Sequence, residues 1–134
     1  MYESDYILRI IAQLGGLLRR AIAELRNDPA EALRLAEEAV RTSSDAGLTL
    51  IDALSAEGLV AYLSAGGDLD VARAVVLGRA LQARAGALEA GGDAVRAAQE
   101  REKADALLAA ARSAHPDLTA SVERELDREV EVHG

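Results

Sequence analysis

The sequence contains no cysteine, no phenylalanine and no tryptophan, and tyrosine occurs only three times in 134 residues. The lack of cysteine excludes disulfides, thiol catalysis and thiolate metal sites, and it fits a reducing cytoplasm. Without large aromatic residues the core has to be built from leucine, isoleucine, valine and alanine, which favours closely packed helices over a sheet sandwich. The sequence therefore predicts a single all-α domain over residues 1–134.

Basic residues are also scarce: the chain has 15 lysines and arginines and 23 acidic residues, so its net charge is -8. Nucleic-acid binders usually carry the opposite sign, so we expect no nucleic-acid partner. No apolar run approaches the roughly 20 residues of a membrane span. The first residues, MYESDYILRI, have neither a basic segment nor a small-residue cleavage site, so we expect no signal peptide and a cytoplasmic protein.

Motifs that carry catalytic or cofactor chemistry are missing. The two histidines, His115 and His133, stand at a predicted helix end and next to the last residue, and neither belongs to a metal-binding motif. No glycine-rich phosphate-binding motif is present. We therefore predict no catalytic residue, no cofactor and no metal site, and hence a non-enzymatic protein.

Helical spacing of apolar residues predicts five long helices and two short ones. The long helices are expected over about 5–26, from Pro29 to the loop at 42–47, and over about 69–90, 93–114 and 117–134, the last with a fraying end. The short helices are expected over about 48–54 and 56–64. Gly15 and Gly16 interrupt the first pattern, either as a tolerated weakness or as the point where another helix crosses closely.

Two copies of the tetrapeptide AGGD separate the later helices, at residues 65–68 and 90–93. Glycine can adopt the left-handed conformation that closes a helix, and the following aspartate can cap the next one. We therefore predict structural turns of antiparallel helical hairpins at Gly67-Asp68 and Gly92-Asp93. Asn27-Asp28 is expected to form a third turn of the same kind.

Each turn is followed five residues after its glycine or asparagine by an alanine, at Ala32, Ala72 and Ala97. This pattern resembles the turn and second helix of a tetratricopeptide repeat, which implies a protein-interaction function. The turns are 40 and 25 residues apart, however, and the aromatic positions of that family are missing. The opening DYILRIIAQLG also resembles a small bacterial family of unknown function.

Eight apolar residues of the first helix share one wide stripe, which we interpret as a candidate homodimer interface. They are Ile7, Ile10, Ile11, Leu14, Leu17, Leu18, Ile22 and Leu25. The region up to residue 26 has a local charge of +1, from four arginines and three acids, whereas the rest carries -9. Two copies would therefore repel each other least along this helix.

The sequence favours a protein-interaction or scaffold module of unknown role, but two alternatives stay open. The first is a helical metal-dependent hydrolase, because acids lie four residues apart at Glu123 and Asp127 and at Glu125 and Glu129. Arginines interrupt these pairs, and the mixed charges of residues 100–105 likewise indicate a solvated face. The second is a membrane-surface protein that uses residues 5–26, which the acidic body disfavours because anionic lipid would repel it.

Overall fold

A computed structural model describes the backbone of residues 2–132 and the side chains of residues 5–131. Within this range the chain is all-α and has no strand, which confirms the predicted fold class of five long helices and two short ones. The helices are α1 (Tyr2–Glu24), α2 (Pro29–Ser43), α3 (Gly47–Ala53), α4 (Ala56–Leu63), α5 (Val71–Ala90), α6 (Ala94–Ala114) and α7 (Pro116–Val132). His133 and the end of the predicted last helix lie outside the described residues.

Side-chain caps fix the starts of two helices where the sequence predicted them. Asp28 accepts a hydrogen bond from the backbone N–H of Glu31 at 3.1 Å, and Pro29 occupies the first position of α2. Asp93 accepts from the N–H of Arg96 at 3.2 Å, so it caps α6. Each cap satisfies one of the free N–H groups that open a helix.

The first AGGD turn differs from its prediction. Gly67 does take the left-handed region, with φ at +111°, as Gly92 does with φ at +93°. Asp68, however, does not cap α5; Asp70 does, by accepting from the N–H of Arg73 at 3.3 Å. The backbone N–H of Asp70 also donates to the carbonyl oxygen of Leu63 at 2.9 Å, so the turn closes only there and the helix begins at Val71.

Two helical hairpins make up most of the molecule. Helices α1 and α2 pack on each other, as do α5 and α6, and α5 lies at the centre in contact with α1, α2, α6 and α7. Helix α4 packs mainly against α6 and touches α5 little, so the first AGGD turn does not join a hairpin as expected. Buried side chains from all seven helices form one continuous apolar cluster.

Gly15 marks a close crossing of α1 and α7. A Cβ atom added at Gly15 would collide with the Cβ of Glu129 and lie 3.3 Å from its backbone carbonyl carbon. Gly16 has no such neighbour, because only the tip of Arg19 comes within 4.0 Å of its added Cβ. The close-crossing alternative therefore holds for Gly15 and not for Gly16.

Candidate functional site

The apolar stripe of α1 is mostly internal. Five of its eight side chains are buried by the chain's own helices, namely Ile10, Ile11, Leu14, Leu17 and Leu18. The stripe is wide because α1 packs against three helices, α2, α5 and α7, rather than against one. The candidate interface therefore narrows to Ile7, Ile22 and Leu25, of which Ile22 is 56% exposed.

Ile22 and Leu25 line an open groove of about 240 Å³ between α1, α5 and α7. The other apolar residues of the groove are Leu18, Ala21, Ala83, Gly86 and Val130. A Cβ atom added at Gly86 would meet no other atom within 4 Å, so this glycine leaves the groove open above α5. Ile22 thus stands exposed beside a largely apolar floor, which offers a contact for the apolar side chains of a partner helix.

The polar residues that line this groove are Arg79 and Gln82, and none of its lining residues is acidic. Arg79 lines the groove, but its guanidinium donates to the carboxylate of Asp127 on α7 at 2.8 Å. Helix α7 as a whole holds six acidic residues and two arginines, for a charge of -4. The one cation of the lining is thus paired with an acid of α7, the helix that also contributes Val130 to the groove.

A second candidate site lies around Arg84, which is only 1% exposed. Its Nη1 and Nη2 donate to the two carboxylate oxygens of Asp52 at 2.8 Å and 3.1 Å. Glu37 on α2 lies 3.5 Å from Nη2, and Glu100 on α6 lies 3.6 Å from Nε. One buried guanidinium therefore connects four helices through three carboxylates.

Glu100 corrects the prediction of a solvated face over residues 100–105. It is only 6% exposed, whereas Arg101, Glu102 and Asp105 are exposed as expected. Burial raises the pKa of Glu100, and the nearby Arg84 only partly opposes this effect. The hydrogen bond from Arg84 lowers the pKa of Asp52. The two carboxylates of one cluster are thus shifted in opposite directions.

Next to this cluster, an open cleft of about 580 Å³ separates the α3–α4 junction from α6. Residues 52–56 form one wall. The opposite wall consists of side chains of α6, namely Arg96, Gln99, Glu100, Glu102 and Lys103. The Lys103 ammonium donates to the carbonyl oxygens of Ile51 and Asp52 at 3.1 Å and 3.3 Å, which fixes the distance between the walls at one end.

The acids of α7 do not form the metal centre that the hydrolase alternative requires. Asp127 pairs with Arg79, Glu125 pairs with Arg128, and Glu123 lies 3.7 Å from Arg112. Among residues 5–131, no three histidine or acidic side chains converge to hold a metal ion. Nor does any helix of the described range have the length and apolarity to cross a membrane.

The Arg84 cluster was missed at the sequence level. Its members Glu37, Asp52 and Glu100 are 47, 32 and 16 residues away from Arg84, so no local spacing connects them. One signal was present, because Arg84 falls on the apolar side of α5 between Leu81 and Leu88, where an arginine has to be paired. That signal identifies the buried cation but not its partners.

Comparison with known protein families, with curated proteins and with solved structures found no match to this chain.

Proposed function

We propose that the chain is a non-enzymatic protein-interaction module that holds an amphipathic helix of a partner protein in the groove between α1, α5 and α7. The observation that carries this proposal is Ile22, which is 56% exposed at the edge of an apolar groove. The predicted role as an interaction or scaffold module, and its expected cytoplasmic location, are both compatible with this use.

The size of the groove favours side chains over a small molecule. Its volume of about 240 Å³ is below the roughly 300–1,000 Å³ that small-molecule sites occupy. A volume of this size accommodates one or two apolar side chains. Helix-in-groove recognition inserts such side chains from the apolar face of an amphipathic helix.

Charge determines which kind of helix is expected. Helix α7, which contributes Val130 to the groove, carries -4, and the whole chain carries -8. A partner helix with lysine or arginine beside its apolar face would be attracted, and its encounter with the groove would be accelerated. A second copy of the chain would be repelled by the net charge of -8, although this repulsion is least along α1, so the predicted homodimer is the alternative occupant.

A calorimetric titration with a designed peptide tests the proposal. The peptide is an amphipathic helix of about 15 residues with leucine at i, i+3, i+4 and i+7 and lysine on its flanks. We expect saturable binding that Ile22→Asp abolishes, because it places a charge at the apolar contact. Val95→Asp is the matched control, since Val95 is 72% exposed on α6 and lies outside the groove.

Equal binding by both variants, or equal binding of a scrambled peptide of the same composition, would overturn the proposal. Light scattering on the unmodified chain identifies the other possible occupant. A dimer that Ile22→Asp converts into a monomer would assign the groove to a second copy of the chain instead.

A further inference from the structure

The cleft beside Arg84 is a separate feature from the apolar groove. On α5, Arg84 projects toward α3 and α6, whereas Ala83 and Gly86 face the groove on the opposite side of the helix. The cleft is polar, and its volume of about 580 Å³ falls within the range of small-molecule sites. A ligand in it would not compete with a helix in the groove.

One wall of this cleft contains a buried carboxylate, that of Glu100, which lacks the usual hydrogen bonds. The side chain lines the cleft although the residue is 94% buried, and its Oε2, which is shielded from solvent and faces Arg84, has no hydrogen-bond partner. The nearest cation is the Nε of Arg84 at 3.6 Å, and this Nε also lacks a hydrogen-bond partner. A buried carboxylate is normally hydrogen-bonded, so Glu100 retains acceptor capacity that the fold does not use.

The charges around the cleft leave one carboxylate in excess. Four carboxylates, those of Glu37, Asp52, Glu100 and Glu102, lie in or directly behind the walls. Three cations oppose them, namely Arg84, Arg96 and Lys103. The Lys103 ammonium is bound to the carbonyl oxygens of Ile51 and Asp52, which shows that the C-terminal end of α3 already holds one ammonium group.

We propose that the cleft binds a small organic molecule through a primary ammonium group, which pairs with Glu100 and with one further carboxylate of the lining, Asp52 or Glu102. An ammonium group requires only one or two carboxylates at hydrogen-bond distance, whereas a divalent metal ion requires several ligands at short range. Within residues 5–131 no such metal cluster exists, so the excess negative charge suits an organic cation. A free anion is disfavoured by the three carboxylates that line the cleft.

The test is an NMR titration of the full chain, labelled with ¹⁵N, with 1,5-diaminopentane and separately with acetate at the same ionic strength. The diamine is expected to shift the amide signals of residues 52–56 and 99–103 in a saturable manner, and acetate is expected to leave them unchanged. Glu100→Gln should weaken diamine binding at least about tenfold, because a charge-assisted hydrogen bond is lost.

Glu89→Gln is the matched control, since Glu89 is an exposed acid that pairs with Arg101 and does not line the cleft. It should leave diamine binding unchanged although it removes the same charge. Glu102→Gln tests the cleft independently of the buried cluster, because Glu102 is exposed and its replacement leaves the core intact. The proposal is overturned if the diamine does not saturate, or if Glu89→Gln weakens binding as much as Glu100→Gln and Glu102→Gln do.

Discussion

Arg84 of α5 and Asp52 of α3, 32 residues apart in the chain, form an ion pair with two parallel hydrogen bonds of 2.8 Å and 3.1 Å. The arginine is almost fully buried, whereas the Asp52 side chain is 46% exposed. Helix α3 has only seven residues, so this contact attaches a short element to the central helix. The pair therefore connects the core to the wall of the polar cleft.

Removal of the buried guanidinium should be costly. Arg84→Ala leaves Glu100 buried without its cation, and we expect the free energy of unfolding to fall by about 3 kcal/mol or more. Arg101→Ala breaks the exposed pair with Glu89 and should cost less than about 1 kcal/mol. Urea unfolding of both variants measures the difference, and equal losses would contradict the buried role of Arg84.

The opposite pKa shifts of Glu100 and Asp52 should give opposite pH dependences. The pKa of Glu100 is raised above its ordinary 4.5, so the stability it contributes is complete below that value and is lost as the pH rises through its folded pKa. The pKa of Asp52 is lowered below 3.8, so its contribution is complete above that value and is lost as the pH falls. Arg84, Arg96 and Lys103 are the cations that act on both carboxylates.

Unfolding by urea between about pH 3 and pH 8 tests this expectation. Relative to the parent chain, Glu100→Gln should gain stability as the pH rises above 4.5. Asp52→Asn should lose relative stability as the pH rises toward and past 3.8. If the stabilities of the two variants relative to the parent change with pH in the same direction, then burial does not dominate the pKa of Glu100, or the bond from Arg84 does not dominate that of Asp52.

Replacement of the two glycines of α1 by alanine should change the stability of the protein in opposite directions. Gly15→Ala forces a Cβ into the backbone and Cβ of Glu129 and should destabilise by about 1–3 kcal/mol. Gly16→Ala meets only the flexible end of Arg19 and should stabilise by about 0.5–1 kcal/mol, because alanine is the better helix former. Thermal unfolding of both variants measures this, and the same sign for both would refute the close crossing of α1 and α7.

The first AGGD turn provides a test of helix capping. Asp70→Ala should cost about 1 kcal/mol, because the N–H of Arg73 loses its acceptor. Asp68→Ala should change the stability by less than about 0.5 kcal/mol, since Asp68 is an exposed turn residue that does not cap α5. A larger loss for Asp68→Ala than for Asp70→Ala would restore the original prediction for this turn.

These residues also show how far local sequence reasoning extends. The predicted caps Asp28, Asp68 and Asp93 are each the acid that directly follows a helix break, and this rule holds for Asp28 and Asp93. At the first AGGD two acids, Asp68 and Asp70, stand two residues apart. Which of the two acids caps α5 depends on the hydrogen bond from the backbone N–H of Asp70 to the carbonyl oxygen of Leu63. This bond forms only in the folded turn.

The sequence alone could not predict the two candidate sites, because both depend on contacts between helices that are far apart in the chain. The periodicity of α1 identified its apolar stripe, but it could not show that three helices of the same chain cover most of it. Ile22 remains exposed because it lies on the same stripe just beyond the covered part. The carboxylates around Arg84 come from three other helices, so their meeting depends on helix packing that no local pattern records.

The central claim, that the groove between α1, α5 and α7 receives a partner helix, is tested most directly by an NMR map of the bound peptide. The leucine and lysine peptide should shift the amide signals around Ile22, Leu25, Ala83 and Gly86. An added Cβ at Gly86 meets no atom within 4 Å, so Gly86→Phe can place its ring in the groove, and it should abolish these shifts while helicity is retained. Shifts at these positions that persist in Gly86→Phe, or shifts confined to the cleft between α4 and α6, would contradict the account.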